Sequence, residues 1–171
     1  MTGDSTAPLQ VRDLTAADLS VIATWAYDGP WSVYDADGEL DPTEGYWAVV
    51  RTGPAGDDEL IGFLCLGVEA RGRGMVEDQN LIDLGVGMRP ALVGRGLGAA
   101  FGAAAVEFAV TRAGDTHGLR AVVQDWNTRS LRLTERLGFR RTGTHVVGEV
   151  TFVVLERSAH GERPGEPVVT V

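Results

Sequence analysis

The stretch RPALVGRGLGAAF, residues 89–101, sets glycines at 94, 96 and 98 just ahead of an alanine-rich run. From Gly96 to about Arg112 the apolar residues Leu97, Ala100, Phe101, Ala104, Ala105 and Phe108 recur at helical spacing. LIDLGVGM, residues 81–88, reads as a strand before them. Alternating glycines between a strand and a helix let successive backbone N–H groups converge on one point. The helix N-terminus adds partial positive charge there, so the junction suits an anion, and phosphate or pyrophosphate is the natural guest.

Three nucleotide-binding readings compete for this loop. A Walker loop requires Lys-Ser/Thr after its last glycine, and Gly98 is followed by Ala99 and Ala100, which excludes it. A dinucleotide fingerprint is formally met by Gly94, Gly96 and Ala99, but MRPALV separates the first glycine from its strand. The acidic residue about twenty positions on, Asp115, falls in a loop rather than at a strand end. The third reading, acetyl-CoA, depends on the rest of the chain.

Outward from the loop, the pattern is that of one α+β domain. LQVRDL is a first strand, and Thr15 with Asp18 three residues on caps a helix to about Trp25. Residues 27–45 are rich in Gly, Pro and Asp and read as loops around one short helical turn. YWAVVRT and ELIGFLCLGVE form a hairpin, and EARGRGMVEDQ is a second loop. Gly85 and Gly87 within the following strand signal a bulge or a close backbone approach. After the long helix come the strand LRAVVQ, a helix begun by Asn127 and ended by Gly138, and a last hairpin of FRRTGTHVV and EVTFVVLER. The order is β-α-loop-β-β-β-α-β-α-β-β, with residues 1–8 and 159–171 expected as flexible tails.

Composition narrows the classes of function. The 171 residues carry a net charge of −9, which disfavours nucleic acid, and no basic run is long enough to offset it. No apolar run reaches the ~18 residues of a membrane span, and MTGDSTAPLQ has neither the basic nor the apolar part of a secretory signal. A single cysteine, Cys65, fits a reducing cytoplasm and, mid-strand among apolar residues, reads as core. His117, His145 and His160 lack ligand spacing, so no metal site is expected.

The sequence resembles the GNAT superfamily of N-acetyltransferases, whose fingerprint is [QR]-x-x-G-x-[GA] after a strand. Val93-Gly94-Arg95-Gly96-Leu97-Gly98 stands at those places, and Asn127, Leu133 and Leu137-Gly138-Phe139 supply a second element at the expected distance. Bacterial members with D-x-G-x-G-x-R-P before the loop are matched by Asp83 to Pro90. The agreement spans roughly residues 9–158. It implies a mixed, mostly antiparallel sheet of about seven strands flanked by helices and splayed between the fourth and fifth strands. It also implies acetyl transfer from acetyl-CoA to an amine by direct attack in a ternary complex.

By the same resemblance, Val86 and Met88 would pair with the pantetheine arm. The N–H groups of Val93, Gly94, Arg95, Gly96, Gly98 and Ala99 would hold the pyrophosphate, and Asn127 would bond the pantetheine region. Two residues depart from the pattern. Val93 replaces the usual Arg or Gln, with Arg95 able to supply the charge. Thr134 stands where many members carry the tyrosine that protonates the departing thiolate, and its hydroxyl is a far weaker acid than a phenol at about 10. Water, or one of Tyr27, Tyr34 and Tyr46, is the other source of that proton. Asp83 is the candidate general base, with Glu77 and Asp78 just upstream; the alternative is a carboxylate that holds the strand.

Trp25, Tyr27, Trp31, Tyr34, Tyr46 and Trp47 lie within 23 residues, interleaved with Asp28, Asp35, Asp37, Glu39, Asp41 and Glu44. Aromatic faces beside carboxylates favour a cation, and in the family this region covers the acceptor. Trp31, Tyr34 and Tyr46 are the candidate contacts to a cationic amine of a small molecule or peptide; the plainer reading makes the aromatics core and the acids a solvated face. Arg71 and Arg73 either bind an acceptor carboxylate or are solvated. An acyl-CoA-binding sensor without turnover and, more distantly, a dinucleotide-dependent oxidoreductase are the rival functions. Monomer and homodimer both remain open.

Overall fold

The computed structural model describes residues 7–35 and 44–160. The acids Asp37, Glu39 and Asp41, and segments 1–6 and 161–171 of the expected tails, lie outside them. In chain order the elements are β1 (Leu9–Asp13), α1 (Ala16–Ile22), a 3-10 turn (Gly29–Tyr34), β2 (Tyr46–Thr52) and β3 (Asp58–Leu66). After a short turn (Gly67–Glu69) come β4 (Leu81–Met88), a turn (Pro90–Leu92), α2 (Gly98–Ala113), β5 (Gly118–Gln124), α3 (Thr128–Arg136), β6 (Arg140–Val147) and β7 (Val150–Arg157).

Seven strands form one sheet in the order β1-β2-β3-β4-β5-β7-β6. Every neighbouring pair is antiparallel except β4 and β5, which run parallel. That parallel pairing covers only Leu81–Asp83 against Gly118–Arg120. Beyond it β4 stays with β3 and β5 stays with β7, so the sheet splits into two halves.

Alternation along the strands builds one core on each face. Val49, Ile61, Leu64 and Leu84 point toward α2 and pack with Phe101, Ala105 and Ala109. Ala48, Val50 and Leu60 point the other way and pack with Leu14 and Ile22, with Trp25, Tyr46 and Phe63 alongside. The small residues of α2 let it lie close to the sheet. A methyl group at Gly62 would fall 2.4 Å from the Phe101 ring.

Local chemistry fixes the helix starts. Thr15 and Asp18 make the reciprocal capping box, and the Arg12 guanidinium meets the Asp18 carboxylate at 2.6 Å. Asn127 caps α3 by accepting the Ser130 N–H at 3.2 Å. Three boundaries differ from the sequence reading. Helix α1 stops at Ile22, and α2 begins at Gly98 rather than Gly96. Strand β3 ends at Leu66, because Gly67 turns the chain with φ +69. The glycines of β4 mark close approach and not a bulge. A Cβ on Gly87 would sit 2.5 Å from the Phe63 ring, and one on Gly85 would sit 2.9 Å from the Cys65 sulfur.

Candidate functional site

The split between β4 and β5 leaves backbone groups turned into open space. Arg89 N–H donates to the Ile61 carbonyl at 2.9 Å, which makes that pair a hydrogen-bonded pair of the β3–β4 ladder. Bonded and non-bonded pairs alternate in an antiparallel ladder, so the Gly87–Phe63 pair is bonded while Val86–Leu64 and Met88–Gly62 are not. The N–H and C=O of Val86 and Met88 therefore face away from β3, into the gap. Both belong to the positions expected to pair with an extended ligand. Val86 is also 47% exposed, as a residue lining an opening would be.

The glycine loop closes one end of this gap. Gly94 and Gly96 have φ +77 and +83, conformations that side chains disfavour, and a Cβ on either would meet nothing within 4 Å. They form an exposed, stripped cradle. Two of the six expected N–H donors are already engaged within the loop. Val93 donates to Pro90 O at 3.2 Å and Arg95 to Leu92 O at 3.3 Å. The first intrahelical bond of α2 is Phe101 N–H to Leu97 O, so the amides of Gly98, Ala99 and Ala100 have no acceptor within the helix. No side chain caps this end. Ala100 is thus a donor that the glycine pattern did not single out.

Asp83 stands at the last paired position before the split and is 4% exposed. Its Oδ1 accepts Arg120 Nε at 2.6 Å. Its Oδ2 accepts Arg120 Nη2 and Arg71 Nε, both at 3.0 Å. Arg120 also donates to the Val76 carbonyl at 3.0 Å, and Arg71 lies 3.5 Å from Glu77. Both oxygens are engaged with guanidinium groups that tie the 71–77 loop to the β4–β5 junction. Three charge-assisted bonds thus use three of the roughly four acceptor positions of the carboxylate, a geometry that suits the alternative considered for Asp83, a carboxylate that holds the strand. Arg71 is likewise held by acids of its own chain. Thr134 is half-buried, and its hydroxyl donates to the Ser130 carbonyl at 2.8 Å.

The segment after α1 spans the mouth of the gap from lip to lip. On the β4 side the Tyr27 hydroxyl donates to the Met88 carbonyl at 2.7 Å. On the β5 side the Tyr34 hydroxyl accepts Asn127 Nδ2 at 3.2 Å. Asp35 closes the segment by accepting the Tyr27 N–H at 2.7 Å. Burial, with the charge of Asp35, pushes the Tyr27 phenol up to about 12. Burial also raises Tyr34, against the hydrogen bonds from Asn127 and the Gln124 backbone. Trp31 sets its edge on Trp126 at 5.7 Å between centroids, and its face carries the Arg129 guanidinium at 5.3 Å. That face of Trp31 is thus occupied by the chain's own cation. Trp126 went unnoticed in the sequence because no periodicity marks a corner residue.

Tyr46 lies apart from this segment, on the sheet face opposite α2. Its hydroxyl donates to Glu69 Oε2 at 3.0 Å, and burial, then the charges of Cys65 and Glu69, drive its phenol far above the usual range. Burial and the Glu69 charge push the Cys65 thiol up to about 12, leaving it unreactive at neutral pH. Trp25 stacks on Phe63 at 6.1 Å, and its buried indole Nε1 has no hydrogen-bond partner among the described residues. Trp47 packs on Phe108 beneath Arg112, in the α2-side core. Among the described residues no group of three or more His, Cys, Asp or Glu is placed to hold a metal ion. No helix among them is long and apolar enough to cross a membrane.

Comparison with known proteins gives this geometry its relatives. A family model described as an acetyltransferase (GNAT) domain matches residues 9–140. No curated protein matches the chain in sequence. Solved structures do match in fold. An acetyltransferase (GNAT family) from Bacillus anthracis superposes with TM-score 0.67 at 16% identity, over 89% of this chain and 95% of its own. AAC(6')-Ib in complex with ribostamycin and coenzyme A gives TM-score 0.68 at 18% identity, over 94% and 99%. A spermidine N-acetyltransferase SpeG chimera from Vibrio cholerae and hSSAT gives 0.62 at 17% identity, over 89% and 96%.

Proposed function

Because the chain belongs to the GNAT acetyltransferase family, we propose that it moves the acetyl group of acetyl-CoA onto a primary amine, by direct attack with both substrates bound. The observation that carries this reading is the split of β4 from β5 with the glycine cradle at its end. The amides of Gly94, Gly96, Gly98, Ala99 and Ala100 suit a pyrophosphate. The inward N–H and C=O of Val86, with the Met88 amide, suit the amides of a pantetheine arm, and Asn127 stands on the opposite lip. An N–H in this stretch would also polarise the thioester carbonyl. The neighbours named above include AAC(6')-Ib, solved with ribostamycin and coenzyme A, and a spermidine N-acetyltransferase SpeG chimera. These support a cationic amine as the acceptor class here.

A second reading, an acyl-CoA sensor without turnover, draws on Thr134, whose hydroxyl proton is committed to Ser130. One experiment separates the two. The protein is incubated with acetyl-CoA and a panel of amines, including spermidine, kanamycin and a lysine peptide, with thiol release and product mass recorded. Acetylated product with stoichiometric thiol supports the transferase. Thermal stabilisation by acetyl-CoA without product across the panel supports the sensor, and no stabilisation refutes both.

A further inference from the structure

We propose that segment 27–35 is a built-in competitor of the pantetheine arm, its two tyrosine hydroxyls holding, one on each lip of the gap, polar groups that an extended ligand lying there would use. The inference rests on the acetyltransferase reading above. The two half-sheets share only three residue pairs, all at the Asp83 end. From there β4 and β5 diverge, and the segment crosses between them at the other end, from Met88 to Asn127.

On the β4 lip, Met88 is a non-bonded position of the β3–β4 ladder, so its carbonyl faces the gap, and the Tyr27 hydroxyl donates to it at 2.7 Å. The β5 lip obeys the same alternation. Asp125 N–H donates to the Thr151 carbonyl of β7 at 3.0 Å. The pair before it, Gln124 with Phe152, is therefore a non-bonded one. The Gln124 N–H thus faces the gap, where the Tyr34 oxygen takes it together with Asn127 Nδ2, the latter at 3.2 Å. Tyr27 donates to an acceptor and Tyr34 accepts from donors, as the N–H and C=O groups of an added strand would. A carbonyl has a second lone pair and Asn127 a second amide proton, but Gln124 has a single N–H. Tyr34 and an arm bonded to that N–H exclude each other.

The segment is braced in this position. Asp35 accepts the Tyr27 N–H at 2.7 Å. Trp126 lies against both Trp31 and Tyr34, at 5.7 and 6.2 Å between centroids, and its Nε1 donates to Gln124 Oε1 at 2.6 Å. Yet residues 28–30 and 32–34 are all exposed. The segment is held by these few bonds and ring contacts, and lifting it uncovers little apolar surface.

The test is calorimetry of the full chain with two probes, coenzyme A and ADP, which has a pyrophosphate but no arm. Tyr34→Phe keeps the ring beside Trp126 and removes the oxygen that takes the Gln124 N–H. It should bind coenzyme A about threefold to tenfold more tightly, the equivalent of about one net hydrogen bond, with ADP affinity unchanged. Tyr27→Phe should act in the same direction by a smaller factor, since the Met88 carbonyl can be shared. Asp35→Ala touches neither hydroxyl and should also tighten coenzyme A by loosening the segment, so the test stands even where a tyrosine variant fails to fold. Its lost charge would favour ADP as well, and only a gain specific to coenzyme A counts. Weaker or equal coenzyme A binding in the folded variants overturns the proposal, making the segment a clasp over the arm or a bystander. An equal gain for ADP overturns it too, because the effect then lies at the phosphates. No binding of coenzyme A to wild type would instead overturn the parent reading of the gap.

Discussion

Replacing Asp83 with asparagine separates a structural carboxylate from a base. The substitution keeps the shape but removes the charge and turns an NH₂ group toward one of the guanidiniums. Three charge-assisted bonds at 2.6, 3.0 and 3.0 Å are affected, at a site 4% exposed. Breaking one partner of a buried ion pair costs roughly 3–5 kcal/mol, a large share of the ~5–15 kcal/mol of a whole domain. At about 2–4 °C per kcal/mol for a chain of this size, the melting temperature should fall by roughly 6–20 °C. Differential scanning fluorimetry measures the shift. Activity assayed well below the lowered melting point, normalised to folded protein, should stay within about tenfold of wild type. A variant that melts near the wild-type temperature yet loses about 10²–10⁴ in turnover, the range of a missing general base, would refute the structural account.

Gly96→Glu should abolish thermal stabilisation by acetyl-CoA, since it sets a side chain and a negative charge in the cradle; a folded variant with wild-type affinity would move the phosphate site elsewhere. Thr134→Val should lower turnover by less than about tenfold, under ~1.4 kcal/mol of barrier, because the hydroxyl donates to the Ser130 carbonyl of its own helix. A loss of a hundredfold with coenzyme A binding intact would make Thr134 a participant. Asp18 should shape acid stability. Burial raises its pKa, but the bonds from Arg12 and Thr15 outweigh burial and leave it lowered. Its contribution is therefore present above the unfolded value of about 3.9 and is lost as pH falls through the depressed folded value. Asp18→Asn should destabilise at pH 7 and flatten the melting profile below about pH 4; an unchanged slope there would show that other carboxylates carry it.

What the sequence disclosed was local. The capping box of Thr15 and Asp18, the Asn127 cap and the glycine loop all depend on residues within four positions of one another, and their spacing is visible in the chain. Contacts across the sheet were not visible. Asp83 meets Arg71 and Arg120, 12 and 37 positions away, and no pattern along the chain announces an ion pair that only the strand order creates. Tyr34 finds Asn127 across 93 positions. Gly85 and Gly87 signalled close approach, but that Phe63 and Cys65 do the approaching depends on the β3–β4 register. The apolar run ELIGFLCLGVE makes Glu69 the end of a strand, and the turn at Gly67 brings it instead beside Tyr46.

Gly102 lies on the side of α2 that faces α3, away from the cradle. A methyl group there would stand 2.6 Å from Leu137 Cδ1, and nearer the helix start Gly98 comes within ordinary contact of Leu133. The missing side chain thus sets how near two helices come whose leading ends supply the cradle amides and Asn127, on opposite banks of the cleft. With alanine at 102, either Leu137 swings out of its packing or the helices part like jaws pried from behind. In the second case the grip on a bridging ligand slackens although no residue touching it has changed.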